Sequence, residues 1–211
     1  MNKAAMVIAA GLALALSLPA LAEEQKAKTG ESESLYGVPW LKKCSGCHGK
    51  DGNSKNPKRA KLAAQHQEYI VKQLMDFQAK RRIDKDMNKQ AAPLTEAEMA
   101  QLAKYFSSQA RKPAIADETV VELGESIYRA GNPATGVPAC AACHGPDGKG
   151  NPKAKFPNLA GQHAKYVAKQ LRWFQSGERA NDAGKMMRNI AIKMTPQEIE
   201  AVSQYVQGLQ P

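Results

Sequence analysis

Aromatic residues make up only 6% of this chain, with two tryptophans and four phenylalanines, and the mean hydropathy is −0.51. For 211 residues that leaves a thin core, too little apolar mass for one large domain held by burial alone. Strand-type alternation is missing, which excludes a sheet-built architecture. The apolar run Ala4 to Leu18 is short of the ~20 residues a membrane span needs. Acidic residues are in deficit, 20 against 30 Lys and Arg, for a formal net charge of +10. Cysteine is scarce as well: there are four, and none lies outside two short motifs.

Those motifs are Cys44-Ser45-Gly46-Cys47-His48 and Cys140-Ala141-Ala142-Cys143-His144, each followed by glycine (Gly49, Gly145). C-x-x-C-H is the attachment signature of c-type haem. Two thiols three residues apart share one face of a helical turn and can form thioethers with both haem vinyl groups, while the histidine falls beneath the iron. The competing readings are a zinc half-site, a redox dithiol and ordinary disulfides. Zinc favours two C-x-x-C pairs close together or more histidines, and a thioredoxin-like dithiol wants flanking strands. Two full copies of the motif point to two covalently attached haem c groups, with His48 and His144 as proximal iron ligands.

Residues 1–22 read as an export signal: Lys3, the apolar Ala4 to Leu18, then the small-x-small site Ala20-Leu21-Ala22. Retention as a membrane tether is the alternative. Export to the periplasm suits the thiols, because haem attachment belongs on the oxidising side of the bacterial membrane. Cleavage after Ala22 leaves Glu23 to Pro211, 189 residues. Two domains of roughly 90 residues each bury a modest fraction of their surface. A haem at the centre of each then supplies missing apolar mass.

An internal repeat supports two domains. Leu62-Ala63-Ala64-Gln65-His66 matches Leu159-Ala160-Gly161-Gln162-His163 at an offset of 97, as do Tyr69 with Tyr166, Lys72-Gln73-Leu74 with Lys169-Gln170-Leu171, and Phe77-Gln78 with Phe174-Gln175. After a three-residue insertion the offset is 100, where Thr95, Glu98 and Tyr105 match Thr195, Glu198 and Tyr205. The seam is expected at Arg111 to Asp117, where Lys112-Pro113-Ala114 breaks a helix, dividing the chain into domains 23–112 and 113–211. Each half reads as all-α. Ile70, Leu74 and Phe77, and Val167, Leu171 and Phe174, mark one buried helix face. Thr95 with Glu98, and Thr195 with Glu198, form capping boxes opening the last helices. Trp40 and Tyr128 are expected on an N-terminal helix packed near Tyr105 and Tyr205. An eight-residue insertion, mostly within Ala130 to Val137, delays the second haem motif.

The sixth iron ligand separates electron transfer from chemistry on a bound molecule. A methionine thioether closes the site and favours reduced iron. Met75 and Met99 sit within helical patterns and are expected to fill core. Met87 lies in a polar stretch, Lys80 to Ala91, read as a loop, where it serves no periodic pattern; it is the candidate for haem 1. The offset of 100 then selects Met187 for haem 2, with Met186 the near alternative. Met194 matches Leu94 at a hydrophobic staple position. His66 and His163 begin a helix and are expected on the surface or in hydrogen bonds.

On C-x-x-C-H-G twice, Leu159-Ala160-Gly161-Gln162 with Tyr166 and Gln170-Leu171, and Met187-Arg188 before the last helix, the sequence resembles the cytochrome c4 family of dihaem class I cytochromes c. The resemblance covers essentially the whole mature chain. It implies two tandem haem-carrying helical domains related by a pseudo-twofold axis, with haem propionates facing across the interface. It also implies an electron carrier without substrate chemistry of its own, working towards a terminal oxidase. The alternative is the cytochrome subunit of a flavocytochrome c sulfide dehydrogenase. A dihaem peroxidase needs an open position at one iron, and a methionine is available at both. Class I domains carry a proline whose carbonyl accepts the proximal histidine's N–H. Pro157 fits, whereas its counterpart by offset is Ala60, which leaves that bond at haem 1 open.

Charge is uneven: 23–112 carries net +7 and 113–211 net +2. The excess gathers in Lys50, Lys55, Lys58, Arg59 and Lys61, and in Lys80, Arg81, Arg82, Lys85 and Lys89. Such a run is either a solvated face or a rim around haem 1 that steers the carrier to an acidic redox partner or an anionic membrane surface. Without a recognition motif, nucleic acid is not an expected partner.

Overall fold

The computed structural model describes residues 39–210. The expected export signal and its cleavage point lie outside the described residues. Among those described, the regular elements are helical, with two isolated bridges, Asn132 to Val137 and Asn151 to Phe156. In the first half α1 spans Pro39–His48, α2 Gln67–Gln78, α3 Lys85–Ala91 and α4 Glu96–Ser107. In the second half α5 spans Glu118–Ala130, α6 Ala141–His144, α7 Ala164–Ser176, α8 Met186–Ala191 and α9 Pro196–Gly208, with a 3₁₀ turn at Ala183–Lys185 ahead of α8.

The repeat is visible element by element. The insertion after α5 is a loop closed by paired backbone bonds between Asn132 and Val137. It splits into α5 and α6 what the first half runs as the single helix α1. On α2, Ile70, Leu74 and Phe77 face inward as their spacing requires, and on α7 so do Val167, Leu171 and Phe174. Met99, Leu102, Ala103 and Phe106 of α4 complete the first core, and Ile199, Val202 and Val206 of α9 the second. Burying each such large side chain is worth about 1.5–3 kcal/mol. Both capping boxes form, so Thr95 and Thr195 fix where α4 and α9 begin. Replacing either with alanine costs about 1 kcal/mol. Leu94 and Met194, just before the caps, are both buried. Tyr128 stacks on Tyr205 at 5.2 Å. Trp40 packs against the first core and donates its indole N–H to Glu98. Where α5 crosses α9, Gly124 is required: a Cβ there would sit 2.1 Å from the Ala201 carbonyl oxygen.

Met75 departs from its expected role. At 38% exposed it is not core, because it lies one residue off the face defined by Leu74 and points outward. The stretch around Met87 is likewise not a loop. Asp84 accepts from the amides of Asp86 and Met87 and so caps a two-turn helix.

The halves are clasped by a reciprocal set of buried bonds. Gln65 donates to the Asn158 carbonyl (3.0 Å) and accepts from the Asn158 amide (2.9 Å). Gln162, its repeat partner, donates to the Lys61 carbonyl (2.9 Å) and accepts from the Lys61 amide (2.8 Å). His66 Nε2 meets the Lys149 carbonyl and His163 Nε2 the Ser54 carbonyl, both at 2.7 Å. Both histidines are therefore used in hydrogen bonds, as expected. Arg111, between α4 and α5, donates to Ala63 on one side and to Asn158 and Ala160 on the other.

Candidate haem-binding site

The end of α1 carries Cys44, Cys47 and His48 on consecutive turns, and Cys140 with α6 repeats the arrangement for Cys143 and His144. Both histidines are buried. His48 Nδ1 donates to the Ala60 carbonyl at 2.8 Å, and His144 Nδ1 donates to the Pro157 carbonyl at 3.1 Å. The bond left open at the first site is thus made, by a backbone carbonyl that needs no proline ring. Holding the proton on Nδ1 leaves Nε2 with its lone pair available to a metal. Burial lowers the pKa of both imidazoles, keeping them neutral.

None of the four cysteines is joined in a disulfide. Burial pushes Cys44 and Cys140 up to about 11. The attacking thiol of a redox dithiol has a lowered pKa, the opposite of the shift at Cys44 and Cys140. Among the described residues no group of three or more His, Cys, Asp or Glu side chains is placed to hold a metal ion between them.

One cavity of ≈ 1250 Å³ runs through both halves. That exceeds the ~300–1,000 Å³ of a single small-molecule site. Its lining includes His48 and Met87 from the first half and His144 and Met187 from the second, with apolar walls from Leu74 and Phe106 and from Leu171 and Val206. The donor set, the volume and the presence of Cys44, Cys140 and Cys143 in the lining fit two covalently attached haems. Met87 and Met187 occupy matching places, third residue of α3 and second of α8, each packed against its own core. Met186 also lines the cavity but is 43% exposed.

Several positioning residues escaped the sequence reading. Asn88 ties α3 to the Phe77 and Arg82 carbonyls. Asp182 holds the start of α8 by bonding both the amide and the guanidinium of Arg188, the latter at 2.7 Å. Conversely, Lys61 does not belong to a surface rim. It is 5% exposed, and its ammonium is spent on the Lys112 carbonyl at 2.7 Å. Arg82 is buried too, and Arg59 is paired with Asp86 at 2.7 Å.

The cytochrome c family model matches residues 39–110 and again 121–210. Cytochrome c4 of Thiocapsa roseopersicina is 53% identical over 167 residues, covering 79% of this chain and 86% of that protein. A more distant relative, the thiosulfate dehydrogenase electron acceptor of Thiomonas intermedia, is 33% identical over 80% of this chain and 79% of its own length. The crystal structure of reduced recombinant cytochrome c4 from Pseudomonas stutzeri superposes with a TM-score of 0.79, at 40% identity over 87% of this chain and 98% of that one. Two tandem helical units, each bringing the histidine of a C-x-x-C-H motif to the lining of a shared cavity, define a dihaem c-type cytochrome, an electron-transfer protein. The chain belongs to the cytochrome c4 family.

Proposed function

We propose that this chain is an exported, periplasmic electron carrier with His/Met ligation at both irons, passing electrons between respiratory redox partners towards a terminal oxidase. Haem 1 takes Cys44, Cys47, His48 and Met87; haem 2 takes Cys140, Cys143, His144 and Met187, with the domain boundary between Lys112 and Pro113. Each haem supplies a one-electron Fe(III)/Fe(II) couple. The observation that carries the reading is that His48, Met87, His144 and Met187 all line one cavity. Ala60 and Pro157 fix the orientation of each imidazole, and burial keeps it neutral. Asp84 and Asp182 anchor the short helices that present the thioethers. With Met87 and Met187 to hold the irons, neither haem would offer an open site to a substrate, consistent with a carrier rather than an enzyme. Exposed Lys58 and Lys85 stand at the cavity rim near haem 1 and supply a basic approach for an acidic partner or an anionic membrane surface.

A second reading, a cytochrome serving a sulfur-compound dehydrogenase, draws on the thiosulfate dehydrogenase electron acceptor relative; a permanent subunit of a flavocytochrome c sulfide dehydrogenase is its stricter form. Size-exclusion chromatography of protein from native membranes and periplasm tests between them. A free carrier elutes at the size of one 189-residue chain, whereas co-elution with a dehydrogenase would replace the first reading with the second.

A further inference from the structure

Two arginines meet in the middle of the molecule with no acid hydrogen-bonded to either. Arg82 and Arg179 are repeat partners, each only 5% exposed, and both line the shared cavity. Each reaches across the domain interface. Arg82 donates to the Tyr166 hydroxyl (3.1 Å) and Gln170 (2.7 Å) of the second half, and Arg179 donates to the Tyr69 hydroxyl (2.9 Å) and Gln73 (3.2 Å) of the first. Each also bonds the glutamine of its own half, Arg82 to Gln73 at 2.8 Å and Arg179 to Gln170 at 2.9 Å. Their bonded partners are neutral. The nearby Asp76 has both oxygens engaged by Lys72, Arg81 and Asn181, and Asp84 caps α3. The buried Nε of Arg82 has no partner at all. Burial, and then the neighbouring charge of Arg82, loosens the hold of Arg179 on its proton.

Two adjacent buried guanidiniums whose bonded partners are all neutral are unfavourable, and a carboxylate beside them would offset that cost. The dihaem assignment places such groups in this cavity. We infer that Arg82 and Arg179 form one shared cationic seat for the propionate carboxylates of both haems, each guanidinium acting on the haem of the other domain as well as its own. This rests on the haem reading, not on which methionines ligate. The pair are positioning residues, and a positive charge beside a haem carboxylate raises the reduction potential by disfavouring Fe(III). At ~12 Å and an effective dielectric of ~20, one charge biases an equilibrium about tenfold, which is about 59 mV for a one-electron couple.

The experiment is a spectroelectrochemical titration of haem-loaded Arg82→Gln, Arg179→Gln and Arg82→Lys, with Arg81→Gln as control. Arg81 is exposed and bonded to Asp76. Each glutamine variant should lower both midpoint potentials by up to about 59 mV, with haem mass and the iron–sulfur absorption band unchanged. Arg82→Lys should retain most of the wild-type value, and Arg81→Gln should shift neither haem. Unchanged potentials in the glutamine variants, a shift confined to one haem, or an equal shift from Arg82→Lys would overturn the inference. If the glutamine variants do not fold, the wild-type protein decides. Labelling its arginines with ¹⁵N should move bands in the redox-induced infrared difference spectrum, and no movement refutes the seat. A missing iron–sulfur band in wild type would instead sink the methionine ligation and leave this test intact.

Discussion

Gln162→Met is the sharpest perturbation of the domain clasp, because it keeps side-chain volume and removes both bonds to Lys61. The amide and carbonyl of Lys61 are paired with Gln162 at 2.8 and 2.9 Å in a buried interface. Left unpaired, each polar group costs about 1–3 kcal/mol. The loss of the bond from the His163 amide to Gln162, at 3.1 Å, adds to this at the start of α7. A total near ~3 kcal/mol is therefore expected even if water rescues one group. For a cooperative unit of this size each kcal/mol moves Tm by about 2–4 °C, so the shift should be about 6–12 °C. Scanning calorimetry of the haem-loaded protein measures it. Gln65→Met should cost a similar amount, and the double variant should resolve the single transition into two as the halves uncouple. A shift below about 2 °C for Gln162→Met would refute the claim that these bonds hold the domains together.

Met187→Ala should abolish half of the weak iron–sulfur band of the oxidised protein, whereas Met186→Ala should leave it intact; visible absorption of both variants checks this, and the reverse result would move the ligand by one residue. Burial opposes ionisation of Asp76, but bonds from Lys72, Asn181 and Arg81 outweigh it and hold its pKa below 3.8. The stability it contributes is complete above 3.8 and vanishes as pH falls through its lower folded value. Acid unfolding followed by circular dichroism should show a shallower loss in that window for Asp76→Asn. Reversing exposed Lys58 and Lys85 to Glu should slow electron transfer to an acidic partner at low salt, with the effect fading as the screening length shortens to ~10 Å at 0.1 M. Stopped-flow rates compared with reversals at Lys153 and Lys155 read this out, and equal losses would reduce the charge asymmetry to solvation.

The helices were legible where a period of 3.6 was written in large apolar groups, as at Ile70, Leu74 and Phe77, and where capping boxes marked a start, as at Thr95 and Thr195. The haem residues were legible because their chemistry demands a fixed spacing. The helix around Met87 was not, since its stability comes from one aspartate cap at Asp84 and a tertiary tie through Asn88 rather than from an apolar stripe. Met75 showed the limit of pattern reading from the other side, an apolar residue in a helix that happens to face out. The counterpart of Pro157 was hidden because a carbonyl's position, not the residue's identity, makes the bond, and Ala60 supplies it equally well. Lys61 and Arg82 looked like surface charge in a basic run, but both are buried where the two halves meet. Yet the offset of 97 already joined Arg82 to Arg179 and Gln65 to Gln162. Pairs of polar residues kept at one offset were the signal for the interface.

The central claim is two covalent haems working as closed one-electron centres in a single chain. A redox titration of the purified protein, followed through the visible spectrum and set against its intact mass, tests it most directly. The expected result is a mass of the polypeptide plus two haems, uptake of two electrons per chain, and low-spin spectra in both oxidation states with an iron–sulfur band of two-site intensity. Uptake of a single electron, extractable haem, or a high-spin iron open to added ligand would contradict it.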